Sequence, residues 1–245
     1  MSGRQRIDGQ VAYILHSYAY SETSLILDVF SRDYGRLPLL ARGARRPRSA
    51  LRGVLQAFQP LELGWFGAGE VRTLAKAEWL GGMPLLGGTA LMLGYYLNEL
   101  LLKLLAREDA HVALFEAYAT ALQALARVDD ATHAVRLRQF EKTLLRELGY
   151  GLALEREAIT DAAVLPDMTY HYLIERGPVE ASSHEGDHGR GQAIRGKTLL
   201  DLARDDYADP RTLAESKTLM RMLINHHLAG QSLQSRRVFM ELQEL

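Results

Sequence analysis

Residues Gly35 to Phe58 read GRLPLLARGARRPRSALRGVLQAF, a short apolar run that passes into a loop carrying Arg42, Arg45, Arg46, Arg48 and Arg52. Five guanidiniums within eleven residues point to a phosphate partner, because a planar, permanently charged fork matches phosphate oxygens. Gly43 and Pro47 interrupt helical periodicity, so these arginines belong to a loop and not to the solvated face of a helix. An ordinary basic surface loop is the competing possibility.

The segments on either side show what the loop is attached to. From Gln10 to Leu80, short runs rich in β-branched, aromatic and leucine residues alternate with turn signals such as RDYG and FGAGE, which is the pattern of strands. Strands are expected near Val11 to Tyr18, Ser24 to Ser31, Arg36 to Arg42, Pro60 to Phe66 and Val71 to Trp79, with one or two helical turns within Leu51 to Phe58. Five strands with a helical piece after the third match a small Greek-key barrel of the OB type, with an SH3-like barrel as the alternative. After Gly87 the apolar period lengthens to that of helices. Helices are expected from Thr89, as cap, to about Arg107, over Ala110 to Ala126, and over Ala131 to Leu148, closed by Gly149. Residues from about 150 to 195 form an irregular insert with a hairpin at Met168 to Glu175 and Pro178 to Ala181. Further helices follow at Gly196 to Arg204, Pro210 to Leu228 and Leu233 to Leu242. The fold class is therefore α+β, with a barrel domain over residues 1–80 and a helical domain over 81–245.

Composition supports this division. Of 245 residues, 47% are hydrophobic, enough for a substantial core. The net charge of −1 conceals an asymmetry: residues 1–80 hold 11 Lys and Arg against 7 Asp and Glu, whereas residues 81–245 hold 18 against 23. The absence of cysteine excludes a disulfide framework, a zinc ribbon and a thiol nucleophile, and suits a reducing cytosol. The opening MSGRQRIDGQ lacks the apolar core of a signal peptide, so a cytoplasmic location is expected. The apolar stretch Met83 to Ala106 contains Asn98, Glu99 and Lys103, which makes it a buried helix and not a membrane span.

A basic barrel of this kind grips nucleic acid through phosphate contacts and base stacking. Arg36, Arg42, Arg45, Arg46, Arg48, Arg52, Arg72 and Lys76 are the candidate phosphate contacts, and Tyr18, Tyr20, Tyr34, Trp65 and Phe66 the candidate rings. One tract suggests different chemistry: His184-Glu185-Gly186-Asp187-His188 satisfies H-E-x-x-H, the zinc-hydrolase pattern. Gly186 within the motif and Gly189 and Gly191 after it oppose the helix that the pattern requires, so a loop is expected and no metal. His226 and His227 lie near a helix end, where imidazoles make capping contacts. No nucleophile elbow and no Ser/His/Asp set is present, so no catalytic residue is assigned.

Three separated blocks carry a family resemblance. HSYAYSETSLILDVFSRDYGRLPLLARGARRPRSALRGVLQAFQPLEL resembles the opening of the bacterial RecO recombination mediators, with their "SETS" turn and "GAR" loop. YYLNELLLKLL and LRQFEKTLLRELGYGL resemble that family's helical core, and LAGQSLQSRRVF its closing G-x-x-L-x-S-R signature. The resemblance implies a non-enzymatic protein that binds single- and double-stranded DNA and anneals complementary strands. With RecR, and with RecF as a further partner, it would help load RecA onto DNA covered by single-strand-binding protein. Many relatives carry a four-cysteine zinc site; Gly151 to Gly191 has no cysteine here, so no structural zinc is expected, and packing around Tyr170, Tyr172 and Leu173 must replace it. The family also holds the acidic C-terminal tail of single-strand-binding protein. Arg138 is the candidate for its carboxylate, with Phe140, Leu144 and Leu145 beside it and Arg136 as alternate; pairing of Arg138 with Glu141 is the structural alternative.

Overall fold

The computed structural model describes residues 6–127, 130–181 and 191–243. The chain divides into two compact units, residues 1–128 together with 233–245, and residues 129–232.

The first unit is built on β1 (Arg6–Ala19), β2 (Leu25–Ser31), β3 (Gly35–Ala41), β4 (Leu61–Phe66) and β5 (Arg72–Trp79), with the one-turn α1 (Leu51–Val54) between β3 and β4. The strands close into a barrel in the order β1-β2-β3-β5-β4. All neighbours are antiparallel except β3 and β5, which run parallel through Leu39↔Arg72 and Leu40↔Thr73. Alternation gives the barrel its interior: Ile14, Leu27, Val29, Leu37, Leu39, Leu61, Leu63 and Trp65 are buried in one cluster.

On the outside of β1 and β2, Tyr13 and Phe30 pack against Phe115 and Tyr118 of α3 (Val112–Leu125), with ring centroids 5.2–6.2 Å apart. The register of β1 slips between Ile14 and His16, leaving Leu15 as the extra residue of a bulge. Its freed carbonyl accepts a hydrogen bond from Asn98 Nδ2 at 2.8 Å, and Asn98 Oδ1 accepts from the Tyr118 hydroxyl at 2.6 Å. Asn98 belongs to α2 (Gly88–Leu104), so one buried amide joins bulge, α2 and α3. Thr89 lies inside this helix; the cap is Gly87, whose extended backbone starts it without a side-chain acceptor.

The helix α7 (Gln234–Gln243) returns to the same unit. Glu99 of α2 accepts from the Gln234 and Ser235 amides at 2.8 and 2.9 Å and from the Ser235 hydroxyl at 2.7 Å. A carboxylate from a neighbouring helix thus caps α7, and this explains the serine of the closing L-x-S-R motif. Burial raises the Glu99 pKa, but the bonds from Ser235, Gln234 and Lys103 outweigh it and hold the group below its ordinary value. A depressed carboxyl stabilises the fold above its unfolded pKa and loses that stabilisation as pH falls through the folded value. Glu99→Gln is therefore expected to lower the melting temperature by a few degrees at pH 7, with the difference from wild type shrinking as pH falls below the ordinary carboxylate range. Thermal melts of both proteins across pH check it.

The second unit contains α4 (Asp130–Glu147), a three-stranded antiparallel sheet in the order β7 (Gly177–Glu180), β6 (Thr169–Leu173), β8 (Gln192–Arg195), then α5 (Gly196–Ala203) and α6 (Pro210–His227). The hairpin expected at Met168 to Ala181 forms as β6 and β7, and the insert adds a third strand to it. β8 escapes sequence reading because four residues beyond a polar tract carry too little pattern. Tyr170 and Tyr172 are buried and Leu173 half-buried, and the Tyr170 hydroxyl accepts from the Leu165 amide at 2.9 Å. Gly149 adopts the positive φ of a helix terminator, as its position after α4 predicts. The His184 to His188 tract lies outside the described residues.

Candidate nucleic-acid interface

The arginine loop follows β3 and is held at both ends. Ala44 is buried in the barrel core, which pins the loop and turns its neighbours outward. Gly43 has φ +68°, a region that favours glycine. Successive turn bonds run from Arg46 N to Gly43 O, from Ser49 N to Arg46 O and from Arg52 N to Ser49 O, at 3.0–3.2 Å. Arg45 fastens the loop to the β1–β2 hairpin tip: its amide donates to Thr23 O at 2.9 Å and its Nη1 to Ser21 O at 2.7 Å.

Arg42, Arg45, Arg46, Arg48 and Arg52 are all exposed, and among the described residues none forms an ion pair with a carboxylate. Five guanidiniums on a short, turn-rich loop give a concentrated positive field that only mobile counterions neutralise. Tyr18 and Tyr20, at the end of β1 beside the same hairpin tip, are 46% and 62% exposed. Charge and aromatic surface therefore meet at one end of the barrel.

The other three candidate cations are placed differently. Arg36 has a side chain only 14% exposed; its Nε donates to Leu105 O at 3.1 Å and its Nη1 lies 3.7 Å from Asp28. Burial lowers the Arg36 pKa, against the raising effect of Asp28. Arg72 pairs with Glu108 at 3.0 Å, and Lys76 with Glu78 at 3.0 Å and Glu62 at 3.5 Å. Arg36 and Arg72 fasten the barrel to the segment after α2, where the Glu108 amide also donates to Arg36 O. Gly35 is required there, since a Cβ would lie 2.0 Å from Asp109 O. Among the rings, Trp65 is buried and Tyr34 packs edge-on against it at 5.4 Å, while Phe66 is half-buried.

Two residues escaped the sequence reading. Arg107 is exposed and close enough to Arg36 and Tyr18 to influence both electrostatically, which adds a cation beside the β1–β3 face. Trp79 ends β5 and is 58% exposed, although it shares the register of inward-facing Ala77. Only the three-dimensional pairing of residues 36 and 107 could reveal the first; strand-end position is the signal for the second.

In the second unit, Arg138 is 8% exposed and its Nη2 donates to Glu141 at 2.9 Å, while Phe140, Leu144 and Leu145 are fully interior. Arg136 on the same helix is exposed, with Nη1 donating to Gln139 at 2.9 Å. His226 lies 3.4 Å from Glu175, and the His227 ring stacks on Tyr150 at 3.7 Å beside a cleft of about 270 Å³. Among the described residues no helix is long and apolar enough to cross a membrane.

Residues 9–83 match the family model described as recombination protein O N terminal, and residues 87–237 match recombination protein O C terminal. The chain is 58% identical over 245 residues to the DNA repair protein RecO of Aromatoleum aromaticum, and 59% identical over 251 residues to that of Dechloromonas aromatica; both alignments cover all of each chain. It is 50% identical over 240 residues to DNA repair protein RecO of Ralstonia nicotianae, covering 98% of this chain and 86% of that one.

Proposed function

The chain belongs to the recombination protein O family, and from that premise we propose that it is a DNA repair and recombination mediator that binds single- and double-stranded DNA and anneals complementary strands without covalent chemistry. The observation that carries this is the exposed, carboxylate-free set Arg42, Arg45, Arg46, Arg48 and Arg52 on a pinned loop. Annealing requires two polyanions to approach, and a dense set of guanidiniums lowers their repulsion while leaving base edges free. The barrel is of the OB type in this proposal, supported by the order β1-β2-β3-β5-β4 and the parallel β3–β5 closure. Residues 1–80 are then the nucleic-acid domain within the first unit, and residues 81–245, which are shared between the two compact units, supply the helices that meet partner proteins in the cytoplasm.

Those partners are RecR, with RecF as a further participant, and the acidic tail of single-strand-binding protein during loading of RecA. A tail carboxylate reaching Arg138 must displace Glu141, whereas Arg136 is already exposed. With four to six phosphates neutralised, binding of single strands should lose affinity with a slope of about −3 to −5 in log K against log salt. The test is annealing of complementary oligonucleotides, with and without single-strand-binding protein, alongside a salt titration of binding. A salt-independent affinity, or annealing no faster than without protein, sinks the proposal.

A further inference from the structure

We infer that Trp79 is a stacking platform for an unpaired base of single-stranded nucleic acid. This rests on the proposed DNA-binding function and adds to it a non-ionic contact away from the arginines.

Three features support it. Trp79 is the one of the chain's two tryptophans that reaches solvent: it is 58% exposed, against 1% for Trp65. An exposed indole needs no protein partner, because water satisfies its N–H. Here the Trp79 Nε1 donates to Gln59 Oε1 at 3.1 Å, and Gln59 is 97% buried, with its own Nε2 lacking a hydrogen-bond partner among the described residues. A buried amide, incompletely satisfied, thus holds an open ring in one orientation. Phe58, just before it, has φ +64°, which aromatic residues rarely adopt. Strain and a half-satisfied amide at one corner are costs that the fold carries while the ring stays uncovered, and such costs concentrate at binding sites.

Position decides the ligand class. Gln59 lies on the same connection as the arginine loop: Arg52 sits on α1, α1 packs against β5, and β5 ends at Trp79. A strand held by phosphate at Arg48 and Arg52 is led along that connection toward the indole. Every base has a π-face, so an oriented ring beside a cationic track suits single strands without sequence preference. A duplex, whose bases are already stacked, offers no such face.

Binding and stacking can be read separately. Anisotropy of a labelled oligothymidylate of about 16 nucleotides reports binding, and indole emission reports contact with Trp79, because Trp65 is enclosed. Emission should be quenched as the oligonucleotide binds, and blunt duplex should bind without comparable quenching. Trp79→Ala should bind the oligonucleotide roughly tenfold more weakly with the salt slope unchanged, and Trp79→Phe should recover most of that affinity. Saturating binding with unchanged emission, equal quenching by duplex, or an unaltered affinity of Trp79→Ala overturns the inference and leaves the DNA-binding proposal standing. Failure of the wild type to bind overturns both. Trp79→Phe and the emission of the unmodified protein keep the test valid if the alanine variant folds poorly.

Discussion

Replacing Arg42, Arg45, Arg46 and Arg48 together by alanine is expected to lower affinity for single strands by on the order of 10²–10³-fold at about 0.1 M salt and to flatten the salt slope by about 3. Each lost phosphate contact removes released counterions worth about 0.7–0.9 in that slope. Annealing should slow in parallel, because the same charges screen strand from strand. Four lysines in their place should keep most of the slope while losing the bidentate geometry. Melting temperature should fall only slightly: these side chains are exposed, and although the Arg45 Nη1 bond to Ser21 O is lost, its amide bond to Thr23 O remains. If the alanine quartet anneals like wild type, the loop is ordinary basic surface, and the helical domain as a protein adaptor becomes the better description.

The largest loss of stability is expected from Asn98→Leu. The substitution removes two buried hydrogen bonds, from Asn98 to the Leu15 carbonyl and from the Tyr118 hydroxyl to Asn98, which costs about 2–4 kcal/mol. A drop in melting temperature of roughly 4–16 °C follows, at about 2–4 °C per kcal/mol for a chain of this size. Tyr118→Phe should cost less, about 1–2 kcal/mol, since it removes the bond to Asn98 Oδ1 and leaves the Asn98 bond to the Leu15 carbonyl in place. The double variant should be less damaging than the sum of the two, because the groups share one network. Additive effects in such a cycle would show that bulge, α2 and α3 are stabilised independently.

The barrel was legible because its strands obey a local rule. Alternation placed β2 to β5 within a residue or so of their bounds, and the helices after Gly87 declared themselves by period. β1 proved longer, starting at Arg6, since Asp8 and Gly9 carry no apolar alternation. Long-range pairing was what sequence concealed. Arg36 and Arg72 read as surface cations, yet their partners, Leu105 and Glu108, stand 69 and 36 residues away. Arg138 looked like an available cation, although the i, i+3 spacing to Glu141 was visible and burial made it a closed pair. Trp79 departs from simple alternation: its register with Ala77 predicts an inward ring, yet at the last residue of β5 it is 58% exposed.

The cap that Glu99 places on α7 also orders events during synthesis. Its donors, Gln234 and Ser235, are translated only after all 104 residues of the second unit. At about 5–20 residues per second, the α2 carboxylate waits roughly 7–27 s for them. In that interval the barrel can close while the first unit lacks α7, so the second unit emerges as an insertion between two parts of its neighbour. Final closure of the first unit is therefore timed by synthesis of the second.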